Sequence, residues 1–98
     1  MCQMPKKGKK IVIAVIGRDQ VGIVARVATV LADNCVNIED INQKVFAGDV
    51  FAMTMMADIA GSALSLPQIH GKLTEVMDPM GLSVTVHDAE VFQYMHRV

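Results

Sequence analysis

Aromatic side chains are scarce in this chain: three Phe, one Tyr and no Trp in 98 residues. A sheet that stacks nucleobases needs aromatics on its central strands. Phe46 and Phe51 instead flank a single turn, so no RNA platform is expected. Cysteine is limited to Cys2 and Cys35, too few for a disulfide framework, and a reduced, cytoplasmic setting is the default. No apolar run reaches the ~18 residues a membrane span needs. No secretory core and cleavage site follow the first lysines, so a soluble protein with no membrane contact is expected. His70, His87 and His96 fall on separate elements without a Cys or carboxylate at ligand spacing, and neither a metal nor a cofactor is expected. No Ser or Cys carries a nucleophile–base signature, which leaves the chain without a candidate catalytic residue.

Acidic charge is missing from the first ten residues, where Lys6, Lys7, Lys9 and Lys10 stand together. Residues 11–98 carry five cations against ten acids. An acidic body argues against a nucleic-acid partner. The basic start reads as a solvated lead-in covering residues 1–9.

Apolar residues, in contrast, are abundant: 52% of the chain, with a mean hydropathy of +0.38. A domain this small buries only about 60–65% of the surface its unfolded chain exposes. The excess predicts an interface, most simply a homodimer. Eight Met residues suit a core or interface built from adaptable side chains.

The pattern along the chain is β-α-β-β-α-β followed by a tail. An apolar run, Ile11 to Ile16, predicts a buried strand from Lys10. Gly17-Arg18-Asp19-Gln20-Val21-Gly22 then forms a glycine-bracketed turn. Val24, Val27, Ala28 and Leu31 follow at helical spacing, predicting a helix over 21–34. Asn34 suits the left-handed conformation at its end. A second strand opens near Ile38. Ile38 and Ile41 are three apart, so a bulge is expected around Glu39-Asp40. Gly48 marks a hairpin to a strand ending near Asp58. Ser65 and Gln68 form a capping-box pattern with Pro67 in the first turn, ahead of Ile69, Leu73, Val76 and Met80. Pro79 and Gly81 close that helix, and Leu82, Val84 and Val86 alternate along a last strand. Residues 89–98 read as a short amphipathic C-terminal helical tail. The expected class is α+β, a ferredoxin-like βαββαβ sandwich over 10–88, with a four-stranded antiparallel sheet and two helices on one face. The other face then needs a cover, from the tail or from a second copy.

The turn into the first helix is the candidate site. Such a turn exposes backbone N–H groups at a helix N-terminus, suited to an anionic group. Asp19 and Gln20 add polar groups, and Gly22 allows a ligand to approach the backbone. Asn37, opening the second strand, is a group a homodimer partner could present.

At these residues the chain resembles the ACT domain, a small ligand-sensing module of amino-acid metabolism. The resemblance covers about Lys10 to Asp88. It rests on Ile11–Ile16, Asp19-Gln20-Val21-Gly22-Ile23-Val24, and Val36-Asn37-Ile38 with the hairpin after it. The single-domain form is similar to stand-alone bacterial and archaeal ACT proteins and to the ACT halves of glycine-cleavage regulators. The resemblance implies a dimer, often with sheets side by side, and an amino acid bound between the first loop of one subunit and the second strand of the other. Gly22 matches the loop glycine, and Asn37 matches the asparagine opening the second strand. Asp19 departs from members that carry an amide there. The binding set so implied is Asp19, Gln20, Gly22 and Ile23 from one chain, with Asn37 and Ile38 from its partner. Backbone N–H groups would take a carboxylate and Asp19 an ammonium, with Ile23 and Ile38 as apolar walls. No enzyme domain is evident, so a signal would pass to a separate effector protein.

Two other classes are weighed beside this sensor. One is a protein-interaction module without a ligand. The other is an acylphosphatase-like hydrolase, whose phosphate cradle Gly17–Gly22, Arg26 and Asn42 faintly echo. Asp19 opposes an anion in that cradle.

Overall fold

The computed structural model describes residues 8–91. Four strands and two helices follow in order: β1 (Lys10–Arg18), α1 (Ile23–Asp33), β2 (Asn37–Phe46), β3 (Val50–Asp58), α2 (Leu66–Met77), a 3₁₀ turn (Asp78–Met80) and β4 (Ser83–Asp88). The sheet order is β2-β3-β1-β4, with every neighbouring pair antiparallel. This is the expected ferredoxin-like sandwich. A helical turn opens at residues 89–91. The rest of the predicted tail, and most of the basic lead-in, lie outside the described residues.

One face of the sheet builds the core. Ile11, Ile13 and Val15 of β1 and Phe51, Met53, Met55 and Ala57 of β3 alternate inward, as the period of two requires. Ile23, Val27 and Leu31 of α1 and Ile69, Leu73 and Met77 of α2 pack onto them. Both helices thus cover the same face. Full burial of one such Ile, Leu or Met contributes roughly 1.5–3 kcal/mol. The apolar stripe of α1 begins at Ile23, one residue before the expected Val24, because the helix itself starts there and not at Val21.

On the face of β1 opposite the helices Val12 is buried, but the burial does not run the length of the strand. Ala14 and Ile16 point to the face opposite the helices, and Ile16 is 51% exposed. The bulge in β2 is present as a register shift between Ile38 and Asp40. At the end of α1 it is Cys35, at φ 60°, that takes the left-handed conformation. Asn34 stays at φ −112° and donates its Nδ2–H to the Val30 carbonyl. Cys35 is disulfide-bonded, against the expectation of a reduced pair; the other cysteine, Cys2, lies outside the described residues.

Candidate functional site

The β1–α1 loop, residues 19–22, sits at the Arg18 end of the sheet. It lies between two other turns. The Asp19 N–H donates to the Asp49 carbonyl at 2.7 Å, tying the loop to the β2–β3 hairpin turn. Gln20 donates its Nε2–H groups to the carbonyls of Arg18 (3.0 Å) and Met80 (2.9 Å), tying it to the turn before β4. Gly17 permits this second approach: a Cβ there would lie 2.7 Å from Leu82 Cδ2 and 3.1 Å from the Gly81 carbonyl. Two carbonyls therefore occupy the Gln20 amide, which acts here as a clasp.

Gly22 is the N-cap of α1 and sits at φ 94°, ψ 4°. Glycine adopts this left-handed geometry without the cost a Cβ brings. No side chain accepts a hydrogen bond at this cap, and the first turn carries no acid. The N–H groups of a first helical turn have no partner within the helix, so those at Ile23, Val24 and Ala25 remain available as anion donors. The Arg26 guanidinium lies against Gly22, where an added Cβ would collide with it. An exposed cation thus stands beside the positive end of the helix dipole. Arg26 was singled out in the sequence only for the hydrolase reading. Its place over the cap follows from the i, i+4 spacing to Gly22 on a helix that starts at Ile23.

The six expected site residues do not converge within one chain. Asp19, Gln20 and Gly22 share the loop, with Asp19 and Gln20 exposed. Ile23 is 2% exposed and belongs to the core. Its side chain cannot wall a ligand, because the helical stripe turns it inward; only its N–H faces the loop. Asn37 is exposed and pairs with Asp58, which also stands beside Lys10. Asn37 is therefore at the opposite end of the sheet from the loop that carries Gly22, and β1, which runs between the two ends, spans roughly 26 Å at 3.3 Å per residue. Ile38 lies next to it, partly buried against the core. The hydrolase constellation also fails to assemble. Asn42 pairs with the exposed Thr54, on the face away from the helices that carry Arg26.

The Asn37 end has its own polar cluster, which sequence separation hid. Lys10 Nζ donates to Glu39 Oε2 at 2.6 Å and to Asp58 Oδ2 at 3.1 Å. The Ala60 N–H and Lys10 hold the Asp58 carboxyl below its ordinary range. Glu39 and Asp58 in turn raise the Lys10 ammonium. The ion pair between Lys9 and Asp88 (3.4 Å) lies at the same end. All of these partners are already matched, so the cluster reads as a clamp joining β1, β2 and β3. Among the described residues no three His, Cys, Asp or Glu are grouped to hold a metal ion, and no helix is long and apolar enough to cross a membrane.

The comparisons with known proteins bear on this geometry. The family model described as ACT domain matches residues 9–87. The chain is 37% identical over 89 residues to a UPF0237 protein of Methanocaldococcus jannaschii, covering 91% of this chain and 98% of that one. An ACT domain protein from Streptococcus pneumoniae superposes with a TM-score of 0.76 at 24% identity, over 89% of this chain and 97% of the other. A putative glycine cleavage system transcriptional repressor gives a TM-score of 0.68 at 22% identity, over 80% of this chain but 44% of that protein.

Proposed function

Because this chain belongs to the ACT domain family, whose members are regulatory ligand-binding modules, we propose that it is a homodimeric sensor of an amino acid or a similar small metabolite. The observation that carries the reading is the start of α1. It has a left-handed glycine, no side-chain cap and Arg26 alongside, which together favour a carboxylate. Asp19 sits one turn of chain earlier, exposed, and suits an ammonium. Asn37 of a second copy completes the set, since this chain's own Asn37 stands at the far end of the sheet. Ile38 of that copy supplies an apolar wall, and Gln20 orders the loop through its clasp. A regulatory role implies a separate effector protein that reads the bound state. The structural neighbour named as a glycine cleavage system repressor supports regulation as the class of function.

A second reading has its own observation. Ile41, Val45 and Phe46 are 42%, 52% and 48% exposed along one strand, which fits a module that works by protein contact alone.

A thermal-shift series against the common amino acids separates the two. A ligand at 100 times its Kd adds about 2.7 kcal/mol, roughly 10 °C or more for a domain this small. A selective shift that disappears in a folded Gly22→Asp variant establishes the sensor. No shift at several millimolar ligand leaves the interaction module.

A further inference from the structure

We propose that the sheet face opposite the helices, at its Arg18 end, docks an acidic, apolar segment of a separate effector protein. The proposal rests on the regulatory reading above and names the chemistry of the effector's contact. Strand register builds the surface. Directly opposed residues share a face. Val50 and Ala52 of β3 therefore lie between Arg18 and Ile16 of β1 on one side and Phe46 and Lys44 of the edge strand β2 on the other. The block so formed is about 7 by 10 Å between Cα positions. Ile16 is 51% and Phe46 48% exposed, with Val50 and Ala52 partly buried between them. Arg18 and Lys44 take opposite corners and are both exposed. Further along the same face Val12 is only 3% exposed, so the opening is confined to this end. Apolar surface rimmed by charge is the mark of a contact site.

The charge on this block runs against the chain around it. Residues 11–98 carry five cations against ten acids, yet the block holds two of those cations and no acid. The next row of the face, Asn42, Thr54, Ala14 and Thr85, is neutral. Lys9 and Lys10 are matched to carboxylates at the far end of the sheet, whereas neither Arg18 nor Lys44 forms an ion pair among the described residues.

Charge also decides what fits. Residues 1–7 and 92–98 contain no Asp or Glu and would add Lys6, Lys7 and Arg97, so neither end of the chain complements the block. A second copy laid on this face would set Arg18 and Lys44 against their own kind. Nucleic acid or an anionic membrane would meet two cations on a body with a large acidic excess. A protein segment with carboxylates beside apolar side chains matches both features. Strand geometry puts the Arg18 and Lys44 Cα atoms roughly 12 Å apart, the spacing of two carboxylates about two helical turns apart. The place also suits a readout. Arg18 ends β1, and its carbonyl accepts from Gln20 of the β1–α1 loop at 3.0 Å, so a segment seated here adjoins the loop where the metabolite is proposed to bind.

Selection of random twelve-residue peptides displayed on phage, against the full chain, tests the surface. The strongest binder is then made as a free peptide and its Kd measured by fluorescence polarisation. The expected binder combines Asp or Glu with large apolar residues. Arg18→Glu and Lys44→Glu should each weaken it by about fivefold, because each turns an exposed attraction into a repulsion. Lys72→Glu changes the net charge equally but lies on α2, across the sheet, and should leave Kd within about twofold. All three side chains are exposed, and circular dichroism checks that each variant is folded. A selection that gives no binder, or binders without acids, overturns the proposal. So does a peptide that Lys72→Glu weakens as much as Arg18→Glu. Binding to phosphatidylserine-rich vesicles or to single-stranded DNA that Arg18→Glu abolishes gives the face to another class of partner and also overturns it. The ligand reading is judged separately, by the thermal shift: a shift without peptide binding sinks the docking surface and leaves the sensor, and peptide binding without a shift does the reverse.

Discussion

The two helices begin in opposite ways. At α2 the Ser65 hydroxyl accepts from the Gln68 N–H (3.4 Å), and the Gln68 carbonyl oxygen Oε1 accepts from the Ser65 N–H (2.8 Å). Pro67 removes a further donor. That helix start is chemically closed. At α1 the cap is a left-handed glycine, no side chain accepts from the first turn, and a guanidinium lies alongside. The open start is the one on which the proposed ligand reading rests. Both helices bury three core residues each, so the difference is not one of how well they are held. It is local, and it coincides with the loop that two other turns clasp.

The comparison can be broken from either side. The largest effect is expected from Gly22→Val. A β-branched residue at φ 94° strains the backbone and displaces Arg26, costing about 2 kcal/mol and lowering Tm by roughly 10 °C. It should also abolish any ligand shift in the same melting experiment. Ser65→Ala opens the closed start and should cost about 1 kcal/mol, a fall of roughly 4–8 °C. It should leave ligand response unchanged, since α2 starts away from the loop. An equal loss of response in both variants would remove the functional meaning of the contrast.

Gln20→Ala should cost less, about 0.5–1 kcal/mol, because its two hydrogen bonds are exposed. Hydrogen exchange should then quicken at residues 19–23 and at 78–82 together, with the core amides unmoved. The smallest effect near neutral pH comes from the far end of the sheet. The Asp58 carboxyl is held below its ordinary value of 3.8, chiefly by the Ala60 N–H and then by Lys10. The folded state therefore favours the carboxylate. Its contribution is complete above about pH 5 and is lost as pH falls through the ordinary and then the lowered folded value. Acid titration of stability should show no change between pH 7 and 5, then a decline, and Asp58→Asn should flatten that decline.

Much of this was legible because the signals are local. Ser65, Pro67 and Gln68 lie within four residues and wrote the α2 cap into the sequence. Ile38 and Ile41, three apart in a strand, gave the bulge. Gly22 was marked as a backbone position by its place between an apolar run and a helical stripe. The misreadings share the opposite cause. Ile23 was taken for a ligand wall from the resemblance, while the helix starts at Ile23, two residues later than expected, and puts that side chain on the buried stripe. Asn34 yielded the left-handed place to Cys35 because its side chain found the Val30 carbonyl. The strand of Ile11–Ile16 was expected to be buried throughout, yet Ile16 faces out, since burial on the second face depends on a layer that a strand cannot specify.

The sequence by itself determined the order of elements, the alternation that builds one core face, and the glycine-bracketed loop that leads into the first helix. Each depends on residues within one turn or one strand of each other. Tertiary structure alone decided that Lys10, Glu39 and Asp58 form one clamp, that Gln20 reaches the Met80 carbonyl, and that Asn37 stands at the opposite end of the sheet from Gly22. It also decided which strand is left with a long open edge. Such facts depend on how β1, β3 and β4 close around one another over separations of tens of residues, and no local pattern encodes that closure.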